Sequence, residues 1–270
     1  NTFLFSATMT SKVQKLERAS LKDPVKIEVN TKYKTVDQLV QNYIFIPAKH
    51  KETYLVFLLT QFAGQKTIIF TTTCNQSLKL ALILRNLQFK AVNINGQLSQ
   101  QQRLDALNKF KCGERQILIA TDVASRGLDI PCVDLVMNFD IPSNSKDYIH
   151  RVGRTARAGQ QGRAITIVTQ YDIETLQKIE SLIGQKLEEY GKNGEIDTKS
   201  ALILSDSVSE ATRIASMEMR QNESSKATAG DEDDDQEQNP DMKLFGKKRK
   251  HNGSMHNKGF GNKSFARKKQ

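Results

Sequence analysis

Five short hydrophobic runs in the middle of the chain predict β-strands that are buried on both faces. The runs are rich in β-branched residues and are almost continuously apolar, whereas a half-exposed strand alternates apolar and polar positions. Continuous runs are typical of parallel sheets, which helices cover above and below. The runs occupy residues 42–46, 67–70, 116–120, 133–137 and 164–168.

The segments between these runs carry apolar residues at helical spacing. The recurring positions are Leu78, Leu82 and 84–87 in one segment, and Leu104, Leu107 and Phe110 in another. Alternating strands and helices predict a doubly wound α/β domain with a parallel sheet. In open sheets of this kind, functional side chains lie in loops at the carboxyl ends of the strands. We therefore expect the functional residues in those loops.

The pattern changes on both sides of this segment. Residues 10–21 indicate a helix and residues 25–29 a strand, as at the end of a preceding domain, with a linker at about 31–37. Later in the chain, residues 207–220 indicate one amphipathic helix. The apolar side of that helix carries Val208, Ala211, Ile214, Ala215 and Met219.

Four regions follow from the pattern. From about residue 222 the chain is polar, charged and dotted with glycine, so it cannot bury enough apolar surface to fold alone. The predicted regions are the end of a preceding domain with its linker (1–35), the α/β domain (36–190), a helical extension (191–221) and a disordered tail, first acidic and then basic (222–270).

The net charge of +10 is concentrated in the tail. Residues 241–270 carry +9 and residues 231–240 carry −6, which leaves +7 for residues 1–230. A moderately basic domain attracts nucleic-acid phosphates without regard to sequence. The Lys-Lys-Arg-Lys run at 247–250 and the Arg-Lys-Lys run at 267–269 fit either a nuclear or nucleolar address or a solvated tail with non-specific RNA affinity.

Other features narrow the class of protein. No run approaches the roughly 18 apolar residues of a membrane span, and no secretory signal is present. The three cysteines, Cys74, Cys112 and Cys132, lack the spacing of metal ligands, and we expect reduced thiols of an intracellular protein. The first residue is Asn rather than Met, which we interpret as a piece of a longer protein.

The most informative segment is His-Arg-Val-Gly-Arg-Thr-Ala-Arg-Ala-Gly at residues 150–159. Its arginines, Arg151, Arg154 and Arg157, are spaced by three, which on a helical turn would place them on nearly one side. Clustered guanidinium groups repel one another unless an anion neutralises them, and arginine suits bidentate contacts with phosphate oxygens. The alternative is a solvated helix face with surface salt bridges.

This segment resembles motif VI of superfamily 2 helicases, in the His-Arg-x-Gly-Arg-x-x-Arg form of the DEAD-box family. The resemblance implies a RecA-like sheet, the helicase C-terminal domain, in an ATP-dependent RNA helicase. It implies that Arg154 and Arg157 reach the ATP γ-phosphate across a cleft between two domains. Arg157 is then the arginine finger, which stabilises charge on the transferred phosphoryl group. His150 would link the nucleotide site to the other domain.

Residues 121–129, Thr-Asp-Val-Ala-Ser-Arg-Gly-Leu-Asp, resemble motif V. A threonine hydroxyl and backbone amides at the end of a strand suit an RNA phosphate, so Thr121 and Asp122 are candidate RNA contacts. Asp122 could equally be the N-cap of a helix. The resemblance places Gly127 and Asp129 beside the nucleotide.

Three weaker matches complete the set. Phe-Ser-Ala-Thr-Met at residues 5–9 resembles motif III, in which Ser6 and Thr8 would couple hydrolysis to strand separation. Gln100 and Arg103 fit a Gln-x-x-Arg motif that supports RNA contact. Thr71, at the end of a run that resembles motif IV, is a further RNA candidate, although a buried strand explains that run equally well. Asn-Gly at 95–96 stands where relatives often have His-Gly.

The phosphate-gripping motif Gly-x-x-x-x-Gly-Lys-[Ser/Thr] and the Asp-Glu-Ala-Asp motif are absent from the sequence. The expected cofactor is ATP with Mg²⁺, whose ligands would lie in a first RecA-like domain that ends within residues 1–35. No metal site is expected in this chain. Alone, the polypeptide should have negligible ATPase or unwinding activity.

Stretches outside the motifs resemble the nucleolar DEAD-box subgroup that processes pre-rRNA of the small ribosomal subunit. The expected partners are RNA, held by its backbone with little sequence preference, and pre-ribosomal proteins. We expect a monomer in the nucleolus without membrane contact. Two alternatives remain: a DEAD-box protein of splicing or another nuclear process, and a non-catalytic module that binds RNA or a partner.

Overall fold

The computed structural model of the chain describes residues 2–6, 11–27, 38–125, 128–157, 159–192 and 198–234. The chain divides into two compact units, Asn1–Asn222 and Glu223–Gln270. Of the second unit, the structure describes only the backbone of a helix that ends at Asp234. The sheet and its covering helices belong to the first unit.

A seven-stranded parallel sheet forms the centre of the first unit. The strands are β1 (Leu39–Phe45), β2 (Thr67–Thr71), β3 (Ala91–Ile94), β4 (Ile117–Thr121), β5 (Leu135–Asn138), β6 (Gly162–Val168) and β7 (Glu188–Glu189). They lie in the order β3-β4-β2-β5-β6-β1-β7, and every neighbouring pair is parallel. The five predicted strands and the α/β class are therefore confirmed.

Two edge strands have too weak a hydrophobic signal to be predicted. β3 is four residues long and contains the polar Asn93, and β7 consists of two exposed glutamates. Among the described residues, β7 pairs with Asn42 and Tyr43 of β1. Short, charged edge strands present few unpaired backbone groups to other chains, which protects an open sheet from edge-to-edge association.

Helices connect the strands, and two of them, α3 and α4 below, confirm the helices that the apolar spacing predicts. They are α1 (Ser11–Ser20), α2 (Lys51–Gln61, after a 3₁₀ turn at Ala48–His50), α3 (Cys74–Asn86), α4 (Gln100–Lys111), α5 (Asp122–Ser125), α6 (Ser145–Val152), α7 (Ile173–Ile183), α8 (Thr198–Ile203) and α9 (Ser205–Asp234). In the described part of the chain, none of them has the length and apolar character that a bilayer crossing requires.

The helices cover both faces of the sheet and form two cores. α2, α3, α8 and α9 pack on one face, and α4, α6 and α7 pack on the other. Neighbouring strand residues point to opposite faces. Ile69 accordingly belongs to the first core, whereas Ile68 and Phe70 belong to the second. This double burial is why the central strands β2, β4 and β5 are almost continuously apolar.

The C-terminal helix confirms the predicted amphipathic packing and continues past its predicted end. Val208, Ala211 and Ala215 are buried against the first core, as the amphipathic spacing predicts. α9 extends to Asp234, however, beyond residue 222, where the tail was expected to begin. Extending a formed helix is far easier than nucleating one, so a polar continuation can follow the packed stem. Residues 235–270 lie outside the described residues.

The N-terminal helix is also confirmed, but the strand after it is not. α1 occupies most of the predicted range 10–21. Val25 and Ile27 are 88% and 85% exposed, and neither pairs with a strand among the described residues. Apolar β-branched residues form a strand only where a neighbour accepts their backbone hydrogen bonds, so this prediction was wrong over 25–27. The expected linker at 31–37 lies outside the described residues.

Replacing Phe110 with Ala should destabilise the chain by about 3–5 kcal/mol, because its ring is fully buried in the second core. Urea unfolding measures the change. Leu104→Ala on the same helix is the matched control, since Leu104 is 40% exposed, and it should lose less than about 1 kcal/mol. Equal losses for the two variants would contradict this assignment of the core.

Candidate functional site

The carboxyl ends of three adjacent strands gather polar side chains at one edge of the sheet. Thr71 ends β2 and Thr121 ends β4, and the two are direct partners in register. Asn138 ends β5 and stands opposite Phe70 of β2. This edge is where an open parallel sheet is expected to carry its functional residues.

Arg151 inserts into this edge from α6. Its side chain is 2% exposed, and its Nε and Nη2 donate to the two carboxylate oxygens of Asp122, each at 2.7 Å. Nη1 donates to the side chain of Asn138 at 3.3 Å and to the backbone oxygen of Asp140 at 2.6 Å. A buried guanidinium is tolerated only with such partners.

The bonds of Arg151 continue into the loops after β2 and β5. The Asp140 carboxylate accepts from Lys51 Nζ at 2.6 Å and from the backbone N–H of Thr72 at 3.0 Å. Asn138 donates to Thr166 Oγ1 of β6 at 3.0 Å. The carboxyl ends of β2, β4 and β5 and the side chain of Thr166 within β6 are therefore joined through one connected set of polar groups.

The other two arginines follow a tight turn rather than the helix. α6 ends at Val152, and the N–H of Arg154 donates to the backbone oxygen of Arg151 at 3.0 Å. The backbone oxygen of Arg154 accepts from the N–H of Val133, which precedes β5. The expectation that all three arginines project from one side is therefore wrong. The helix ends before Arg154, and Arg151 turns inward.

The turn is held against β6 by a glycine. Thr155 donates from Oγ1 to the backbone oxygen of Val133 at 2.5 Å, and Ala156 has a positive φ of 55°. A Cβ placed on Gly162 would overlap Thr155 Oγ1 and the backbone nitrogen of Ala156. Glycine at position 162 thus allows the approach that positions the turn.

Arg154 and Arg157 lie close enough to repel each other. Burial of the Arg154 guanidinium lowers its pKa, and the positive charge of Arg157 lowers it further. Arg157 donates from Nε to the backbone oxygen of Gly153 at 2.5 Å, which orients the side chain. Neither arginine forms an ion pair with any carboxylate among the described residues. Two such cations favour binding of an anion.

The charge of Arg157 also acts on an acidic residue, Asp129. It is exposed and accepts from Lys111 Nζ at 2.8 Å. The hydrogen bond and charge of Lys111, with a smaller contribution from the charge of Arg157, hold the pKa of Asp129 below its ordinary value. Asp129 and Arg157 are therefore close enough for their charges to interact.

The residues expected to contact RNA differ in their surroundings. Thr71 is fully buried, and its hydroxyl donates to the backbone oxygen of Thr73 at 3.4 Å, so its side chain shapes the loop instead of presenting itself to a ligand. Thr121 is 5% exposed at the end of β4. Asp122 begins α5, and its carboxylate is engaged by Arg151. Direct RNA contact by Asp122 would therefore use its backbone.

Gln100 and Arg103 lie in the first turn of α4. Gln100 is exposed, and Arg103 donates from Nη2 to the backbone oxygen of Gly96 at 3.1 Å. The buried Nε of Arg103 has no hydrogen-bond partner among the described residues. Asn95 is 2% exposed and accepts from the N–H of Gln97 at 3.0 Å, which keeps the bend before the helix.

The remaining candidates are dispersed or lie outside the described residues. His150 is half-buried in the last turn of α6, and Ser6 is exposed in the N-terminal segment. Thr8 and Gly127 lie outside the described residues. Within the described ranges, no three His, Cys, Asp or Glu side chains are grouped so that they could hold a metal ion.

A family model described as the helicase conserved C-terminal domain matches residues 50–159. The ATP-dependent RNA helicase DDX47 of Drosophila melanogaster is 53% identical over 272 aligned residues, which cover 100% of this chain and 53% of that protein. The ATP-dependent rRNA helicase rrp3 of Schizosaccharomyces pombe is 57% identical over 220 residues, 82% of this chain and 46% of that protein.

Among solved structures, the E. coli DEAD-box protein SrmB, crystallised with regulator of ribonuclease activity A, is 36% identical with a TM-score of 0.54. The match covers 56% of this chain and 89% of that chain. The chain belongs to the DEAD-box helicase family. Its sheet is the RecA-like sheet that the arginine segment predicted, and the chain spans about half the length of its curated relatives.

The sequence pattern missed several residues of the DEAD-box site. Lys51, Asn138 and Asp140 join the polar set around Arg151, and Gly162 seats the arginine turn. Two polar residues at the end of a fully buried strand, here Asn138 as the last residue of β5 and Asp140 just after it, were a usable signal. No local pattern identified Lys51 or Gly162.

Gly162→Ala should destabilise the chain by about 1–3 kcal/mol, because the added methyl group overlaps the Thr155–Ala156 backbone and forces the turn away from β6. Urea unfolding measures this loss. Gly96→Ala is the matched control, since its Cβ would make only an ordinary contact of 3.7 Å with Cys74 Sγ. A loss for Gly162→Ala no larger than for Gly96→Ala would show that the turn is not seated in this way.

Proposed function

We propose that this DEAD-box chain is the phosphate-sensing half of an ATP-dependent RNA helicase. The observation that carries the proposal is the adjacent pair Arg154 and Arg157, which lacks a carboxylate partner among the described residues. Their charges would contact the γ-phosphate, and Arg157, the more exposed of the two, would serve as the arginine finger. His150, in the preceding helical turn, would relay the nucleotide state to the other domain.

The nucleotide would lie between this chain and a domain that grips the remaining phosphates. The sequence contains neither the phosphate-gripping motif nor Asp-Glu-Ala-Asp, and the described residues offer no cluster of metal ligands. The residues here fit an anion and do not fit Mg²⁺. We therefore assign the Mg²⁺ ligands to the other domain, and we keep Asp129 and Gly127 as nucleotide-side residues and Ser6 and Thr8 as coupling residues of that domain.

The RNA backbone would bind at the carboxyl edge of the sheet. Thr121 and the backbone of Asp122 end β4, while Gln100 and Arg103 begin α4, which follows β3 in the same sheet. Thr71 would support this surface from within. Contacts of this kind bind phosphates and sugars instead of base edges, so little sequence preference is expected. The affinity for RNA should fall as the salt concentration rises.

Replacing Arg157 with Ala in the intact two-domain protein should lower RNA-stimulated ATP turnover by about 10³–10⁵-fold, because the transition-state charge loses its arginine. RNA affinity should stay within about threefold of wild type, since the RNA edge is left intact. A coupled ATPase assay and a fluorescence-anisotropy titration with single-stranded RNA measure the two quantities.

Arg213→Ala is the control, because Arg213 is an exposed arginine of α9 that pairs only locally with Glu210. It should leave both quantities unchanged. The chain alone should show no turnover in the same assay. Unchanged turnover in Arg157→Ala would refute the finger assignment, and robust turnover by the chain alone would refute its dependence on another domain.

We further propose that the RNA is precursor ribosomal RNA and that the protein acts in the nucleolus. The 57% identity to a relative named as an rRNA helicase and the basic runs of the tail support this proposal. Crosslinking the tagged intact protein to RNA in cells should enrich precursor rRNA by at least about tenfold over spliceosomal small nuclear RNA. Enrichment of the spliceosomal RNA instead would refute the proposal and indicate a role in splicing.

A further inference from the structure

Arg151 occupies a position between the two halves of the site. Its side chain ends at Asp122, which directly follows Thr121 on the RNA side. Its backbone oxygen accepts from the N–H of Arg154, which belongs to the nucleotide side. Within the described residues, side chain and backbone of one residue thus touch both the strand end and the arginine turn.

The contact between Arg151 and Asp122 can transmit a displacement of the β4 end to α6. Two parallel hydrogen bonds of 2.7 Å fix the carboxylate in both position and orientation, which a single bond would not do. The guanidinium lies 5.2 Å from the centroid of the Phe70 ring and is excluded from solvent. Because the group cannot rotate freely, a shift of the β4 end must move α6 or break a buried ion pair.

A second arm holds the same group from the other side. Nη1 of Arg151 donates to the backbone oxygen of Asp140, whose carboxylate is fixed by Lys51 Nζ and by the N–H of Thr72. The loop that carries Thr72 follows β2, which lies between β4 and β5. Arg151 is therefore anchored to the loops that follow β2 and β5, two strands at the centre of the sheet.

We propose that Arg151 is a positioning residue that couples RNA binding at the Thr121–Asp122 strand end to nucleotide binding at Arg154 and Arg157. RNA that settles on the β4 end would fix Asp122, and through Arg151 the end of α6 and the turn behind it. This inference rests on the proposed function. It adds that the first arginine of the segment acts by holding the other two and touches neither ligand.

The test compares Arg151→Lys with wild type in the intact two-domain protein. Lysine keeps the positive charge, but its single nitrogen cannot bond both oxygens of Asp122 and also reach Asn138 and Asp140. The readout is the ratio of RNA dissociation constants without and with the non-hydrolysable analogue AMPPNP, measured by fluorescence anisotropy on labelled oligouridine. Coupling of this type is commonly 5–150-fold.

Wild-type protein should bind RNA at least about fivefold tighter with AMPPNP, and Arg151→Lys should bring the ratio to within about twofold of one. Arg163→Lys is the matched control. Arg163 is a half-buried arginine whose guanidinium lies 5.5 Å from the Phe62 ring and 5.7 Å from the Tyr190 ring. These rings pack with the first core, whereas Val152 and Ala156 of the arginine segment pack with the second. Arg163→Lys should lose packing but keep the wild-type ratio.

A merely structural role would lower the melting temperature without changing the ratio in the folded protein. A wild-type ratio in Arg151→Lys would therefore overturn the proposal. If that variant does not fold, Asp122→Asn decides, because it keeps the shape of the partner and removes its charge, and a wild-type ratio there overturns the proposal equally. Wild-type protein that binds neither RNA nor AMPPNP would instead reject the proposed function.

Discussion

One buried cation sets the geometry of the functional edge. A guanidinium that is removed from water must have its N–H groups bonded, and Arg151 meets this requirement with a carboxylate, an amide oxygen and a backbone oxygen. These partners come from the loops after β4 and β5 and from the end of β5 itself. The parallel sheet makes this possible, because it delivers all of its strand ends to one edge.

The fold could be predicted from the sequence wherever the signal is local. Strands buried on both faces are apolar at every position, and helices that cover them repeat their apolar residues every three to four positions. Both patterns lie within a few residues and gave five strands and the helices α1, α3, α4 and the packed part of α9. β3 and β7 were not predicted because edge strands need less apolar surface. The strand predicted at Val25–Ile27 was wrong because β-branched residues alone do not supply a pairing partner.

The site was less predictable because its decisive contacts are distant in sequence. Arg151 and Asp122 are 29 residues apart, and Lys51 and Asp140 are 89 residues apart. Spacing alone gave three equivalent arginines, whereas the structure separates one from the other two. Likewise, Thr71 was a candidate contact by its place at a strand end, but the neighbouring strands bury it. Only the tertiary fold decides which polar residue is enclosed.

Three identical side chains within seven positions therefore do different physical work. The charge of Arg151 is neutralised by Asp122, and this ion pair holds the ends of neighbouring strands together. The charges of Arg154 and Arg157 lack such a partner among the described residues, and the charge of Arg157 adds to burial in lowering the pKa of Arg154. The +7 carried by residues 1–230 is consequently a poor guide to where an anion binds. Cations that the fold leaves without a carboxylate mark the place better than the total charge does.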